Sequence, residues 1–598
     1  MLLRFSAVAL LVVLSVRLPA APAVPLVDLV DERTLVAVCA DDVPSLLRGW
    51  DASPLAATWR DPQFVRFLAP LRAEMKIDEW DERTREATGL SVRELLALAR
   101  GEALLAIPSL AGDQIESQSE TPFLAAIEVG SQSEKIEALL AESAAKKSIE
   151  ETTEIFAGVT VHTRPAAPPT DDVRAEAKRF VWAITDGIWL FGIDRERVLA
   201  AIDAVKQGGL PDSLGRSEGY QRTRRRIGSA QALVYVNGPA IYPVIRAAAV
   251  KAEAGPGAKP NFFGINADTV MGALGLDALG EAYAALRIDE RESRLDSGLA
   301  YAEERGLLKL LAYRTGAPVR PEWVPAKWPI VSASRFSVPQ AYEGLEELVE
   351  SISPILSGMA QGQIRSLNQK LGLDLRRDLI GSLGDEFVTA YALPPGADNA
   401  AVPAWTEMDQ FIAISLVNEE AFSRAVAALK QLAGPAADQM FSTREYLGAT
   451  IYTLNMPVPA DAPPQRGFSY AIANRTLLLG IGSPATVESA LQGMSSGRGG
   501  FWERDEVKAS LADFPSEIAG IQVQDMRVMV ASLIETAVRM QQAVDAGGKP
   551  DGEKKVFFDV SARPDAESIA RHWGLASGFV TRTSEGLFGT TRLPNAQP

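Results

Sequence analysis

The segment FVWAITDGIWLFGIDRERVLAA, residues 180–201, has a counterpart later in the same chain. Ala183 to Ile193 aligns without a gap on Ala471 to Ile481. Each reads as an apolar strand, a two-residue turn, a second apolar strand and the start of a helix. Asp186-Gly187 predicts a tight hairpin, because both turn positions need positive φ and Asp and Gly tolerate it. Asn474-Arg475 fills the same place. Asp194 in one copy and Ser483-Pro484 in the other are helix-start residues, with Pro484 suited to the first helical position.

More blocks recur in the same order. Residues 89–93 (GLSVR) match 372–376 (GLDLR), Leu96 falls on Leu379 and Gly101 on Gly384. Ser91 and Asp374 predict helix N-caps, and Ser91 with Glu94 a capping box. Gly101 and Gly384 suit left-handed C-caps. The strand 123–129 precedes a Ser131/Glu134 box, and 411–417 precedes an Asn418 cap. Residues 158–163 match 448–453. Long apolar helices are expected at 240–252 and 526–543, and a strand pair closes each copy. The expected fold is therefore α+β: two tandem copies of a mixed or antiparallel sheet-plus-helix unit, each with a long apolar helix. The copies span 24–316 and 329–598. A Pro-rich linker at 317–328 should be extended and semi-rigid.

Residues 1–23 read as an export signal. Arg4 supplies a positive end, residues 5–16 are apolar, and Ala21-Pro22-Ala23 suits cleavage before Val24. The expected location is exported, periplasmic or extracellular, with no transmembrane segment after cleavage. The chain carries a net charge of −16, which opposes nucleic-acid binding. Cys39 is the single cysteine, so no intrachain disulfide framework exists, and its apolar surroundings (LVAVCA) mark a core residue.

The sequence gives little catalytic chemistry. His162 and His572 are the only histidines, too few for a His-rich metal site, and they argue against a Ser-His-Asp triad. His162 aligns with Tyr452, as a packed strand residue would. Gly480-Ile481-Gly482 resembles the start of a dinucleotide fingerprint but lacks the third glycine. Asp385, Glu386 and Glu102 are the carboxylates considered for acid–base work. Asp551, Glu553 and Asp559 lack calcium-loop spacing. No cofactor, metal or catalytic residue is expected.

Two binding surfaces stand out. Arg222, Arg224, Arg225 and Arg226 form the main basic run in an acidic chain and are candidates for meeting an envelope protein. Met526, Met529, Val530 and Leu533 lie on the long second helix and are candidates for contacting an apolar small molecule.

The strand DERTLVAV with VPSLLRGWDASPLAATWRDPQF after it, GLSVRELLALARGEALLAI, LGLDALGEAYAALRIDERESRLDSGLAY and ARHWGLASGFVTRTSEGLF resemble a group of large exported bacterial proteins classed only as a domain of unknown function. That resemblance implies an envelope or secreted location and brings no catalytic residues with it. The leading expectation is a non-catalytic binding or interaction protein of the bacterial envelope. Two alternatives are a carrier of a lipid-like ligand between long helix and sheet, and a carboxylate-dependent hydrolase of an envelope polymer. The hydrolase requires two acids about 5–10 Å apart in one cleft.

Overall fold

The computed structural model describes residues 24–75, 81–82, 85, 90–108, 122–146, 150–165, 179–254, 265–397, 402–432, 434, 440–454, 466–547 and 556–595. The expected export signal at 1–23, and Asp551 and Glu553, lie outside the described residues. The chain forms two compact units, one of residues 1–44 and 84–229, the other of 45–83 and 230–598. These divide the chain elsewhere than the boundaries 24–316 and 329–598 read from the repeat.

The first unit contains β1 (Val36–Ala40), β2 (Ala103–Ile107), β3 (Leu124–Glu128), β4 (Thr152–Phe156), β5 (Val159–Pro165), β6 (Arg179–Thr185) and β7 (Ile188–Gly192). They pair antiparallel in the order β4-β5-β6-β7-β3-β2-β1. The Asp186-Gly187 turn has φ of 50° and 77°, the mirror-image geometry that matches strand twist.

The second unit contains β8 (Ala232–Asn237), β9 (Leu279–Ile288), β10 (Glu292–Tyr301), β11 (Ile330–Arg335), β12 (Leu383–Ala392), β13 (Asp409–Leu416), β14 (Phe441–Tyr446), β15 (Ala449–Leu454), β16 (Phe468–Ala473), β17 (Thr476–Ile481), β18 (Gly520–Asp525), β19 (Leu575–Thr583) and β20 (Gly586–Pro594). Their order is β8-β9-β10-β20-β19-β18-β11-β12-β13-β17-β16-β15-β14, again antiparallel. The final seven repeat the order of the first unit's seven, each strand number raised by ten. Asn474 and Arg475 both take positive φ in the β16–β17 turn, as at Asp186-Gly187. Ala157-Gly158 and Leu447-Gly448 make two further tight turns with positive φ. The matching blocks 158–163 and 448–453 begin at the glycines of these turns, and the strands before them are not among the elements expected from the sequence. Ala and Leu seldom adopt positive φ, so neither advertises a turn.

The Ser91/Glu94 capping box forms, with Glu94 N–H to Ser91 Oγ at 3.2 Å and Ser91 N–H to Glu94 Oε2 at 2.8 Å. Gly101 and Gly384 are not among the positive-φ residues, which corrects their reading as left-handed caps. A Cβ would sit 1.9 Å from Glu128 Oε2 at Gly101 and 2.2 Å from Ser415 Oγ at Gly384. Close approach favours glycine at Gly384, where the Ser415 carbonyl also lies 3.1 Å from that Cβ, whereas at Gly101 only the movable Glu128 carboxylate is met.

The stretch 317–328 is not a free spacer. Val319, Val324 and Trp328 join the core of the second unit with Val388, Ala390, Phe411 and Leu491. Trp328 is 1% exposed, with its ring centroid 4.8 Å from that of Phe411. Trp502 Nε1 donates to the Pro321 carbonyl at 3.0 Å. Nor is the stretch extended throughout, the form expected from its prolines. It turns twice, with the Val324 N–H donating to the Pro321 carbonyl and the Trp328 N–H to the Pro325 carbonyl, each at 3.2 Å, and its hydrophobic side chains are drawn into the core.

Helices are exchanged between the two sequence halves. The helix Pro62–Glu74, from the first half, places Phe64 and Phe67 against Ile534, Val538, Ile569 and Trp573 of the second. Asp61 caps that helix through Gln63 N–H at 2.9 Å and accepts from His572 Nε2 at 3.0 Å. Burial opposes ionisation of Asp61, but the His572 contact and the Gln63 and Phe64 amides hold its carboxyl below the usual range. In the other direction, the helix Val338–Ile352 packs on Leu307–Leu310 and Ala267–Leu274.

Candidate functional site

The row of residues where five neighbouring strands meet one end of the second unit's sheet follows from register. Asp525 donates its N–H to the Pro329 carbonyl at 2.8 Å. Ile330 pairs with Tyr391, Ala392 with Asp409 and Gln410 with Ile481. The row therefore runs Asp525, Pro329, Ala392, Asp409, Gly482. The helix Ala485–Ser496 starts just after it. Loop residues 393–397 and 326–328 complete a cleft of 620 Å³ that also receives Tyr446, Glu488, Gln492, Arg504 and Val528.

Asp409 is the site's distinctive group. It is the first residue of a largely apolar strand, DQFIAISL, and is 3% exposed. Its Oδ1 accepts the Ser483 N–H at 2.9 Å. Its Oδ2 is buried and has no hydrogen-bond partner. Arg466 stands 3.9 Å from Oδ1, but its Nη2 donates to the carbonyls of Met408 and Ile481. Burial pushes the carboxyl up, and the Ser483 amide and Arg466 oppose the rise only in part.

The Gly-Ile-Gly triplet belongs to this arrangement and not to a dinucleotide loop. Gly482 has φ of 116°, and a Cβ there would lie 2.0 Å from Asp409 Oδ1. A side chain at 480 would collide with Thr486 Oγ1 and Ser469 Oγ, at 2.8 and 2.9 Å. Glycine here clears space for a carboxylate and a helix.

Of the other ionised groups of the wall, Lys327 is exposed and the rest are paired. Glu488 pairs with Arg444. Asp525 takes a two-pronged contact from Arg527, 2.7 Å at each oxygen. Arg504 pairs with Glu506 and donates to the Ala326 carbonyl at 3.2 Å. Asp525 and Asp409 stand three strand steps apart, about 14 Å along the row. That exceeds the separation a two-carboxylate hydrolysis uses.

Removing the charge at Asp409 should stabilise the protein. The raised carboxyl carries a cost that is present above its folded pKa and relieved as pH falls through it toward the ordinary value. Asp409→Asn is expected to be more stable than the wild type at pH 7 and to lose that advantage as pH falls toward the ordinary aspartate value of about 3.9. Denaturant unfolding at the two pH values reads the difference. A variant that is less stable at pH 7 would contradict this account of the site.

The residues singled out from sequence fall elsewhere. Arg222, Arg224, Arg225 and Arg226 lie on the helix Glu218–Ile227 of the first unit. Arg224 bonds Asp41 at 2.6 Å and Arg222 bonds Glu218 at 3.3 Å, while Arg225 and Arg226 are exposed. On the helix Met526–Gly547, Met526 and Val530 pack against the Phe64 and Phe67 cluster. Met529 is half-buried, and Leu533 is 48% exposed. The Met526 and Val530 side of the helix is thus covered by the chain's own phenylalanines, and the helix reaches the cleft through Val528. Asp385 and Glu386 flank Arg335 at 3.5 and 3.9 Å. Glu102, in the first unit, accepts the Leu26 N–H at 2.8 Å, and burial raises its pKa. Asp559 caps a short turn through Ser561 N–H at 3.1 Å.

His162 stacks on Trp182 with centroids 3.9 Å apart and contacts Glu151 at 2.6 Å. The matching pair, Tyr452 on Tyr470, stacks at 4.7 Å, which explains how Tyr stands where His stood. Cys39 is buried beside Tyr220 Oη at 3.8 Å, and burial pushes its thiol up to about 11, too high for a nucleophile near neutrality. Among the described residues no cluster of His, Cys, Asp or Glu is placed to hold a metal ion. No helix among them is long and apolar enough to cross a membrane.

A family model described as a protein of unknown function (DUF3352) matches residues 76–485. No curated protein matches the chain, and no solved structure does.

Proposed function

The chain belongs to the family of proteins of unknown function DUF3352, and from that premise we propose a non-catalytic binding protein, exported to the bacterial envelope and built as two tandem copies of one antiparallel unit. The observation that carries the binding reading is the 620 Å³ cleft with a buried, half-satisfied Asp409 in its wall. Its volume lies within the range of about 300–1,000 Å³ used by small-molecule sites. A fold that leaves one carboxylate oxygen buried and unpaired keeps a polar group that core packing alone would remove.

The shared strand order of β1–β7 and β11–β17 supports duplication. Export rests on the leader-like composition of residues 1–23. The lipid carrier is the weaker reading, because Phe64 and Phe67 occupy the Met526 and Val530 part of the helix face it would need.

The test is native mass spectrometry of the protein purified without detergent from its own envelope fraction. A mature chain beginning at Val24 with a co-purifying small molecule is the expected result. A bare mass, together with a melting temperature insensitive to a small-molecule panel, would defeat the binding reading. A full-length chain in the cytoplasmic fraction would defeat export.

A further inference from the structure

Building on the binding reading above, we infer that the cleft takes a small ligand bearing a protonated amine, with the ammonium seated at Asp409. The argument starts from charge. Glu488, Asp525 and Arg504 each have a protein counterion. Asp409 has only one long ion pair, to Arg466 at 3.9 Å, and Nη2 of that guanidinium is shared with two carbonyls, while Lys327, a second cation of the lining, is exposed. A buried carboxylate whose counterion stands at 3.9 Å is only partly compensated, and a cation that arrives and hydrogen-bonds to it recovers the remaining cost. The unpaired Oδ2 is an acceptor when ionised, so the missing partner is a donor.

An anion fits less well at the same point. The start of the helix Ala485–Ser496 is where an anion would be held, but the Ser483 N–H there is already taken by Asp409 Oδ1. The body of the ligand would lie against Tyr446, Trp328, Pro394, Pro395 and Val528. That lining suits a short aliphatic or aromatic amine. The upward displacement of the Asp409 carboxyl is the mark of a charge awaiting its partner.

Isothermal titration on the full mature chain decides the matter, with 1,5-diaminopentane as the amine and glutarate as the anion of the same carbon chain. The titration is run at about 0.15 M salt, which screens attraction to the acidic surface. The amine should bind and glutarate should not, and Asp409→Asn should weaken amine binding more than tenfold. Absence of amine binding, amine binding undiminished in Asp409→Asn, or binding of glutarate alone would overturn the inference.

If Asp409→Asn fails to fold, the pH dependence of wild-type binding replaces it. Amine affinity should fall as pH drops through the raised pKa of Asp409, above the ordinary aspartate value of about 3.9. Affinity unchanged down to pH 4 would overturn the inference. A co-purified ligand that proves to be neutral or anionic would sink the amine and leave the binding reading standing.

Discussion

Phe67→Ala is expected to cost the second unit about 3–5 kcal/mol, the range for deleting a buried aromatic side chain. Phe67 is 2% exposed and stacks on Phe558 at 5.4 Å between ring centroids. Around it stand Ile534, Val538, Ile569 and Trp573. The second half cannot close over the lost volume without moving the helix Met526–Gly547. That helix is itself tied to the 402–408 stretch, through Ser532 Oγ to the Pro403 carbonyl at 2.9 Å and the Trp405 N–H to Thr536 Oγ1 at 2.8 Å. Urea unfolding followed by tryptophan fluorescence reads the loss. A change below about 0.5 kcal/mol, the scale of surface substitutions, would mean that the exchanged helix is not part of the unit's core.

Trp328→Ala should cost a similar amount, about 3–5 kcal/mol, toward the lower end. The Trp328 indole N–H is buried without a partner, so its removal offsets part of the lost packing. A tryptophan in a free linker would cost nearly nothing, so this variant separates a spacer from a structural strap. Trp328 also lines the cleft. Trp328→Phe should therefore recover most of the stability while reshaping that wall. Equal stability of Trp328→Ala and the wild type in the same assay would restore the spacer reading.

Much of the architecture could be read because strands and tight turns leave local marks. Asp186-Gly187 and Asn474-Arg475 announce hairpins, and Ser91-x-x-Glu94 announces a helix start. The α+β class and the antiparallel pairing follow from them. What could not be read is which helix goes where. Amphipathic periodicity says that the helix Pro62–Glu74 must bury Phe64 and Phe67, and says nothing of the partner. The natural assumption is the nearest sheet in sequence, and here it fails. The candidate site was hidden for a related reason. Its wall collects residues from 326 to 528, and no two of them form a motif. One local signal existed: an acid opening an apolar strand (Asp409) near a Gly-Ser-Pro step at 482–484. Its meaning depends on the register that sets Asp409 opposite Gly482.

The exchanged helix also sets a timetable. Gln63 and Asp565 bond each other across 502 residues of chain, and Asp61 and His572 across 511. At about 5–20 residues per second, the ribosome finishes residues 54–74 some 25–100 seconds before their docking surface exists. Through that interval Phe64 and Phe67 have no native neighbour to cover them, and only loop closure over nearly the whole chain ends the wait. Such a waiting period leaves an apolar helix face open to non-native contacts. It also makes the early helix the place where a holding chaperone would be needed.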